Sequence, residues 1–234
     1  MTEPAAPPVV VAIDGPAASG KSSTARWIAE RLGFHHVDSG ALYRAVTLLA
    51  MREHGADAAA WDGAALARGA ERVTLVPVPA GFDPAIDGQS VAESVRGSDV
   101  TRNVSAVAQM PAVRAWVNAR VRQAARARSV VVDGRDIGTV VFPDAALKVF
   151  LVADPWERAR RRLLQTLGRA PADAEIAAET ARLVERDARD ATQTVQARDA
   201  VLLDTTYLTQ AEQVERIVAL VRALPRPAGA SSNG

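Results

Sequence analysis

The sequence predicts an α/β fold in which a five-stranded parallel sheet carries helices on both faces. Five short segments are mainly apolar and β-branched, as expected of strands buried on both faces of a parallel sheet. They are residues 9–13, 34–37, 129–132, 147–152 and 201–203. Helical patterns lie between them, at residues 22–32, 41–54, 111–128, 155–167 and 173–190. This alternation of strands and helices is typical of an α/β domain with three layers.

One stretch departs from the alternation. Residues 72–78 and 82–96, with turn signals that include Asp87-Gly88, indicate short antiparallel strands inserted after the second helix. We therefore predict a small separate lobe at about residues 71–99, inserted into a core formed by residues 8–70 and 100–224. A second irregular patch, residues 166–171, lies between two arginine-rich helices and indicates a mobile lid at about residues 158–173. The composition of residues 225–234 predicts a disordered tail.

Composition limits the kinds of site that the chain could carry. The 234 residues have a formal net charge of +1, so we expect neither nucleic acid nor a membrane as a partner. The absence of cysteine excludes thiolate metal sites, and three scattered histidines give no zinc spacing. No segment has the pattern of a signal peptide or the length of a membrane span, so we expect a cytoplasmic protein and, by default, a monomer.

The first motif lies between the first strand and the first helix. Gly15, Gly20, Lys21 and Ser22 match G-x-x-x-x-G-K-[ST], the phosphate-binding loop of P-loop proteins, in the strand-to-helix setting that it requires. Backbone N–H groups and the helix N-terminus would bind phosphate oxygens, Lys21 would neutralise the β- and γ-phosphates, and Ser22 would contact Mg²⁺. The predicted ATP-binding loop is Gly15, Pro16, Ala17, Ala18, Ser19, Gly20, Lys21, Ser22 and Ser23.

P-loops also occur in GTPases and motor ATPases. No Asp-x-x-Gly and no Asn-Lys-x-Asp occurs in the sequence, which argues against a GTPase. The sequence instead places polar residues at the carboxyl ends of two other predicted strands, the edge at which α/β sheets bind ligands. Ser39 and Arg44 follow the second strand, and Asp133, Arg135 and Asp136 follow the third. Taken alone, these residues are also compatible with a helix cap, a surface arginine and a capped turn.

Five segments together resemble bacterial cytidylate kinases. They read GPAASGKSST, DSGALYRA, RNVSAVAQMPAVR, DGRDIGTVVFPDA and ERDARD, in this order, and the resemblance covers about residues 9–224. It implies a P-loop kinase that transfers the γ-phosphate of ATP to CMP or dCMP. It also implies that the antiparallel insertion binds the nucleoside monophosphate and that a helical lid closes over the site.

The same resemblance implies roles for individual residues. Ser105, Arg114 and Asp136 would bind the cytosine ring, whose exocyclic amine suits a carboxylate and whose acceptors suit an arginine. The segment ERDARD, which by itself indicates only a charged helix face, would contact the ribose. The resemblance therefore implies these further contacts: Arg44 and Arg135 with the CMP phosphate, and Arg186 and Asp190 with the ribose.

The remaining expectations concern catalysis. At least one of Arg158, Arg161 and Arg162, beside the predicted lid, is expected to reach the transferring phosphates, although a solvated helix face is the simpler reading of each alone. Asp133 is expected to orient an arginine or a hydrated Mg²⁺ and not to act as a base, because the acceptor is already a phosphate oxygen. One departure stands out: many relatives carry an arginine where this chain has Gln193.

Two other functions fit the P-loop. One is a kinase of another acceptor, such as UMP, AMP or a metabolite hydroxyl, and the other is a regulatory domain that binds ATP without transferring its phosphate. An assay of ADP release with different acceptors separates all three.

Overall fold

The computed structural model describes residues 8–225. The predicted disordered tail falls, except for its first residue, outside this range. Eight α-helices occur in the described part of the chain: α1 Lys21–Leu32, α2 Ser39–His54, α3 Gly63–Gly69, α4 Ser98–Gln109, α5 Pro111–Ala124, α6 Pro155–Leu167, α7 Asp173–Asp190 and α8 Gln210–Arg222. No helix of residues 8–225 is both long and apolar enough to cross a membrane.

The strands form one mixed sheet. They are β1 Val10–Asp14, β2 His35–Asp38, β3 Val73–Val78, β4 Gly81–Ile86, β5 Gln89–Ser90, β6 Val130–Gly134, β7 Leu147–Val152 and β8 Val201–Asp204. Five of them are parallel, in the order β2-β6-β1-β7-β8. The predicted parallel sheet is therefore confirmed.

The antiparallel insertion is also present, but its strands extend the same sheet. β3 and β4 form a hairpin, β5 pairs with β4, and β4 meets the edge strand β2 through His36 and Gly81. A side chain at Gly81 would place its Cβ 2.5 Å from the His36 carbonyl oxygen, so this close approach requires glycine. The sheet thus has eight strands, three more than the parallel set.

Two apolar cores cover the two faces of the parallel strands. α1 and α8 pack on one face, where Ile28, Ile217 and Val218 are fully or almost fully buried against β1 and β7. α2, α4 and α5 cover the other face, and α3 and the hairpin contribute to the same core. This arrangement gives the three predicted layers and leaves the carboxyl ends of the parallel strands free to build a site.

Three helices were not among the predicted elements, namely α3, α4 and α8. α8 nevertheless buries Val214, Ile217, Val218 and Val221, which recur at helical spacing. The predicted helix at residues 111–128 ends four residues earlier, at Ala124.

Candidate active site

A cavity of about 1030 Å³ lies at the carboxyl ends of the parallel strands. Most of the residues predicted for the site line it. These are Ala17, Ala18, Ser19, Gly20, Lys21, Ser22, Ser23, Ser39, Arg44, Ser105, Arg114, Asp133, Arg135, Asp136, Arg161, Arg162, Arg186 and Asp190. Gly15, Pro16 and Arg158 do not line it. Residues from all five motif segments therefore line one cavity.

The phosphate-binding loop has the backbone geometry of an anion cradle. Gly15 has φ +147°, and a Cβ there would lie 2.2 Å from the Leu151 carbonyl oxygen, so the loop fits against β7 only with glycine. Gly20 has φ +86° and gives α1 no side-chain cap. The first N–H groups of α1 are consequently available to a phosphate.

Lys21 is buried within this loop. Its Nζ donates to the Pro16 carbonyl oxygen at 2.5 Å and lies 3.3 Å from the Ser19 hydroxyl. Burial, followed by the charge of Arg135, lowers the pKa of Lys21. An ammonium held among few counter-charges favours binding of an anion, because phosphate oxygens would supply the missing negative charge.

Arg158 lies behind the loop instead of facing the cavity. It is 4% exposed, and its Nη1 donates to the carbonyl oxygen of Ala17 and pairs with Asp187 Oδ2, both at 2.7 Å. Asp187 Oδ1 accepts the N–H of the same alanine at 3.0 Å. In this arrangement Arg158 holds the loop backbone and does not line the cavity.

Asp133 connects the loop to the strands. Its Oδ2 accepts a hydrogen bond of 2.5 Å from the Ser22 hydroxyl, and its Oδ1 lies 2.7 Å from His36 Nε2. Its carbonyl oxygen accepts from the Ser39 hydroxyl at 2.7 Å. Burial alone would raise the pKa of Asp133, but the bonds from His36 and Ser22 hold it below its ordinary value. Each oxygen of the carboxylate therefore has a hydrogen-bond partner within the protein.

Asp14, at the end of β1, is a buried carboxylate that sequence reasoning did not select. It accepts the N–H groups of Ile137 and Gly138, both at 2.8 Å, and so fixes the turn that follows Asp136. Burial raises its pKa to about 6, despite these two bonds. Its partners lie more than 120 positions away, and no local signal pointed to them.

The residues predicted to bind the base line one end of the cavity. Arg114 and Asp136 form an ion pair, and Arg114 also donates to the Ala108 carbonyl oxygen at 3.0 Å. Ser105 on α4 is 4% exposed and lines the same cavity. The hydroxyl of Tyr43, another lining residue, is buried and has no hydrogen-bond partner among the described residues. This end thus offers a carboxylate, a guanidinium and hydroxyls to a planar polar ligand.

A group of cationic side chains lines the same cavity. Arg135 donates to the Gly15 carbonyl oxygen at 3.0 Å and pairs with Asp190 at 3.3 Å, while Arg186 lies 3.7 Å from the same carboxylate. Burial and then the charge of Arg135 lower the pKa of Arg186 to about 10. Arg186 Nε is buried without a hydrogen-bond partner in the described structure. Two guanidinium groups sharing one carboxylate favour an additional anion.

Two further arginines lie near the predicted lid. Arg161 donates to the carbonyl oxygens of Thr205 and Thr206, at 2.6 and 2.7 Å, and so holds the loop after β8. Arg162 pairs with Glu179 at 3.1 Å. Both line the cavity, together with Gln193, which adds no charge to the cationic group.

The donor set fits a magnesium–nucleotide complex. No group of three or more His, Cys, Asp or Glu side chains among residues 8–225 could hold a metal. Mg²⁺ is usually held by one or two protein oxygens together with water and substrate phosphates. The Ser22 hydroxyl, backed by Asp133, provides such an oxygen beside the phosphate cradle.

Comparison with known proteins agrees with this geometry. The family model for cytidylate kinase matches residues 11–223. The cytidylate kinase of Chlorobaculum tepidum is 42% identical over 93% of this chain and 94% of its own length. That of Limosilactobacillus fermentum is 42% identical over 91% of this chain and 95% of its own length. A matching family model and relatives of this similarity over nearly the whole length establish that the chain belongs to the cytidylate kinase family.

Proposed function

We propose that this kinase transfers the γ-phosphate of ATP to CMP or dCMP, giving ADP and CDP or dCDP. The observation that carries the proposal is that one cavity is lined by the phosphate-binding loop, by the residues predicted to bind the base and by a group of arginines. A kinase needs sites for both donor and acceptor in one cavity, because the two must meet in line and away from water. A domain that only sensed ATP would need the loop alone.

In the proposal, the protein would distinguish acceptor nucleotides by the exocyclic group of the base. The Asp136 carboxylate would accept from the cytosine amine, while Arg114 and Ser105 would donate to the ring acceptors. Uracil has a carbonyl oxygen at the position of the amine, which would face the carboxylate with no proton between them. This reasoning favours CMP and dCMP over UMP.

The acceptor phosphate and the ribose have separate partners in the proposal. Arg44 and Arg135 would bind the phosphate, with Ser39 at the adjacent helix start. Arg186 and Asp190 would contact the ribose. Arg44 is already placed by a hydrogen bond of 2.8 Å to the Thr101 hydroxyl. Burial lowers the pKa of Arg44, and an anion at this point would offset that cost.

The donor would be ATP with Mg²⁺. The ion supplies charge neutralisation at the β- and γ-phosphates, and Ser22 is the residue that would hold it. Lys21 would neutralise the phosphates from the loop, and Arg161 and Arg162 would add positive charge from the lid side. Asp133 is not placed as a base, because both of its oxygens are engaged by His36 and Ser22.

The experiment measures ADP release from ATP with CMP, dCMP, UMP, AMP and GMP as acceptors. We expect CMP and dCMP to give the highest kcat/KM. A better turnover of UMP or AMP would reassign the acceptor, and ATP binding without ADP release on adding CMP would indicate a sensing domain.

We also propose a cytoplasmic monomer in which the insertion, residues 71–99, and the lid, residues 158–173, close on the core. Separate closing segments suit a kinase that must exclude water from the transferring phosphate. Light scattering after size exclusion tests the monomer, and X-ray scattering with and without both nucleotides tests the closure.

A further inference from the structure

His36 is a buried polar side chain for which the roles above give no use. It lies on β2 and is 6% exposed. In the pairing of β2 with β6 it lies opposite Val131, and the next residue, Val37, lies opposite Val132. A buried imidazole without a hydrogen bond would destabilise the fold. Within the described part of the chain, its side-chain partner is the Asp133 carboxylate, at 2.7 Å.

The hydrogen bond from His36 determines where the other carboxylate oxygen of Asp133 points. With Oδ1 held by the imidazole, Oδ2 is turned to the Ser22 hydroxyl at 2.5 Å. The neighbouring carboxylate, Asp38, is occupied elsewhere, because it accepts the N–H of Ala41 at 2.9 Å and caps α2. The hydrogen-bonded side chains of His36, Asp133 and Ser22 therefore join an edge strand of the parallel set to the start of α1.

These two hydrogen bonds fix the orientation of the Ser22 hydroxyl. A hydroxyl has one proton and two lone pairs. When the Ser22 hydroxyl donates its hydrogen bond to Asp133, both of its lone pairs remain available to a cation in the cavity that Ser22 lines. A carboxylate free to rotate would leave the proton without a fixed acceptor, and the hydroxyl could then turn its proton toward the cation.

We propose that His36 is a positioning residue for the magnesium–nucleotide complex, acting through Asp133 on the hydroxyl of Ser22. The inference rests on the proposed ATP–Mg²⁺ donor. Residues that orient metal ligands from behind typically change metal affinity by about 10- to 100-fold when they are replaced.

The test compares ATP binding in Mg²⁺ with ATP binding in EDTA, by calorimetry and without acceptor. We expect wild type to bind ATP more tightly in Mg²⁺. His36→Leu removes the donor, so the ratio of the two affinities should fall about 10-fold while binding in EDTA stays within about twofold. His36→Gln, which keeps an N–H donor at the end of the side chain, should restore most of the ratio. His35→Leu, at the adjacent strand position, is the matched control.

Each other outcome overturns the inference. An unchanged ratio of the ATP affinities in Mg²⁺ and EDTA in His36→Leu would show that His36 does not position the Ser22 hydroxyl. An equal loss of ATP affinity in Mg²⁺ and in EDTA, together with a lower melting temperature, would show that His36 has a purely structural role. If wild type itself binds ATP equally in Mg²⁺ and EDTA, the magnesium proposal fails and this inference falls with it.

A measurement on wild type covers the case in which His36→Leu does not fold. We expect a protected imidazole N–H proton resonance, absent from His36→Gln, that shifts on adding ADP with Mg²⁺ but not ADP with EDTA. A His36 resonance that responds alike to both additions would overturn the inference.

Discussion

Arg158 donates a hydrogen bond of 2.7 Å to the carbonyl oxygen of Ala17, although 141 positions separate the two residues. Asp187 on α7 completes the contact by accepting the N–H of Ala17 and pairing with Arg158. The phosphate-binding loop is thus held from behind by α6 and α7.

Arg158→Met should destabilise the protein by about 3 kcal/mol, because a buried ion pair that loses one partner leaves the other uncompensated. The KM for ATP should rise as well, since Ala17 loses its support. Chemical denaturation and initial rates measure the two effects. Arg160→Met, in which an exposed arginine loses only its pair with Glu157, is the control and should change stability by less than about 1 kcal/mol. Equal stability of the two variants would contradict the proposed clamp.

Lys21→Ala should fold normally yet lose at least about 100-fold in kcat, because the buried ammonium is the loop's charge for the transferring phosphate. Turnover and the melting temperature are measured together. Arg31→Ala, at the far end of α1, is the control and should keep full activity. Near-normal turnover of Lys21→Ala would remove the loop from catalysis.

Asp136→Asn should weaken the discrimination between CMP and UMP. The amide can donate to the uracil carbonyl oxygen, which the carboxylate cannot do. The measured quantity is the ratio of kcat/KM for the two acceptors, which should fall by about 10-fold or more. Asp144→Asn changes an exposed carboxylate and should leave the ratio unchanged. If Asp136→Asn left this ratio of kcat/KM unchanged, Asp136 would not distinguish cytosine from uracil.

Asp14 should make stability depend on pH between about 4 and about 6. Its pKa is raised from 3.8 to about 6, so the folded state holds this proton more tightly than the unfolded chain does. The resulting stabilisation is complete below pH 3.8 and is lost as the pH rises through about 6.

Asp14→Asn removes this titration. The unfolding free energy of wild type relative to the variant should therefore decrease by roughly 3 kcal/mol over that range, at about 1.4 kcal/mol per pKa unit. Urea denaturation at pH 4, 5, 6 and 7 measures the difference. A difference that stays constant over this range would show that the carboxyl titrates alike in both states.

Gln193→Arg should tighten acceptor binding, because it adds a charge to the cavity wall near the proposed phosphate site. Hydrogen bonds to charged groups contribute about 1.5–3 kcal/mol, so the KM for CMP should fall by about 10-fold or more with kcat little changed. Stability without nucleotide should fall, since the new charge adds to Arg135 and Arg186. Gln196→Arg, at an exposed position, is the control. An unchanged KM would show that Gln193 does not face the acceptor phosphate.

Much of the architecture was predictable because it depends on neighbouring residues. The buried strands and the phosphate-binding loop follow from short apolar runs and from glycine spacing. The helix α8 was missed even though Val214, Ile217 and Val218 carry the periodic signal. The end of α5 was misjudged by four residues, as helix ends often are when no capping residue marks them.

The pairings within the site were not predictable in the same way. The role of Arg158 is an example: the sequence placed it among arginines near the phosphates, whereas the fold uses it to hold the loop backbone. Asp14 and His36 belong to no motif that predicted their contacts. Their partners become apparent only from the strand order, which sets β1 and β2 on either side of β6.

By itself the sequence determined the class of fold, the phosphate-binding loop and, through resemblance, the acceptor. The strands, the helices and each motif are short segments that can be recognised from neighbouring residues, because periodicity and turn chemistry act locally. Only the tertiary structure decided that Asp133 links His36 to Ser22, and that Arg158 lies behind Ala17. Such contacts join residues about 100 positions apart or more, and they arise from how all the strands and helices pack together.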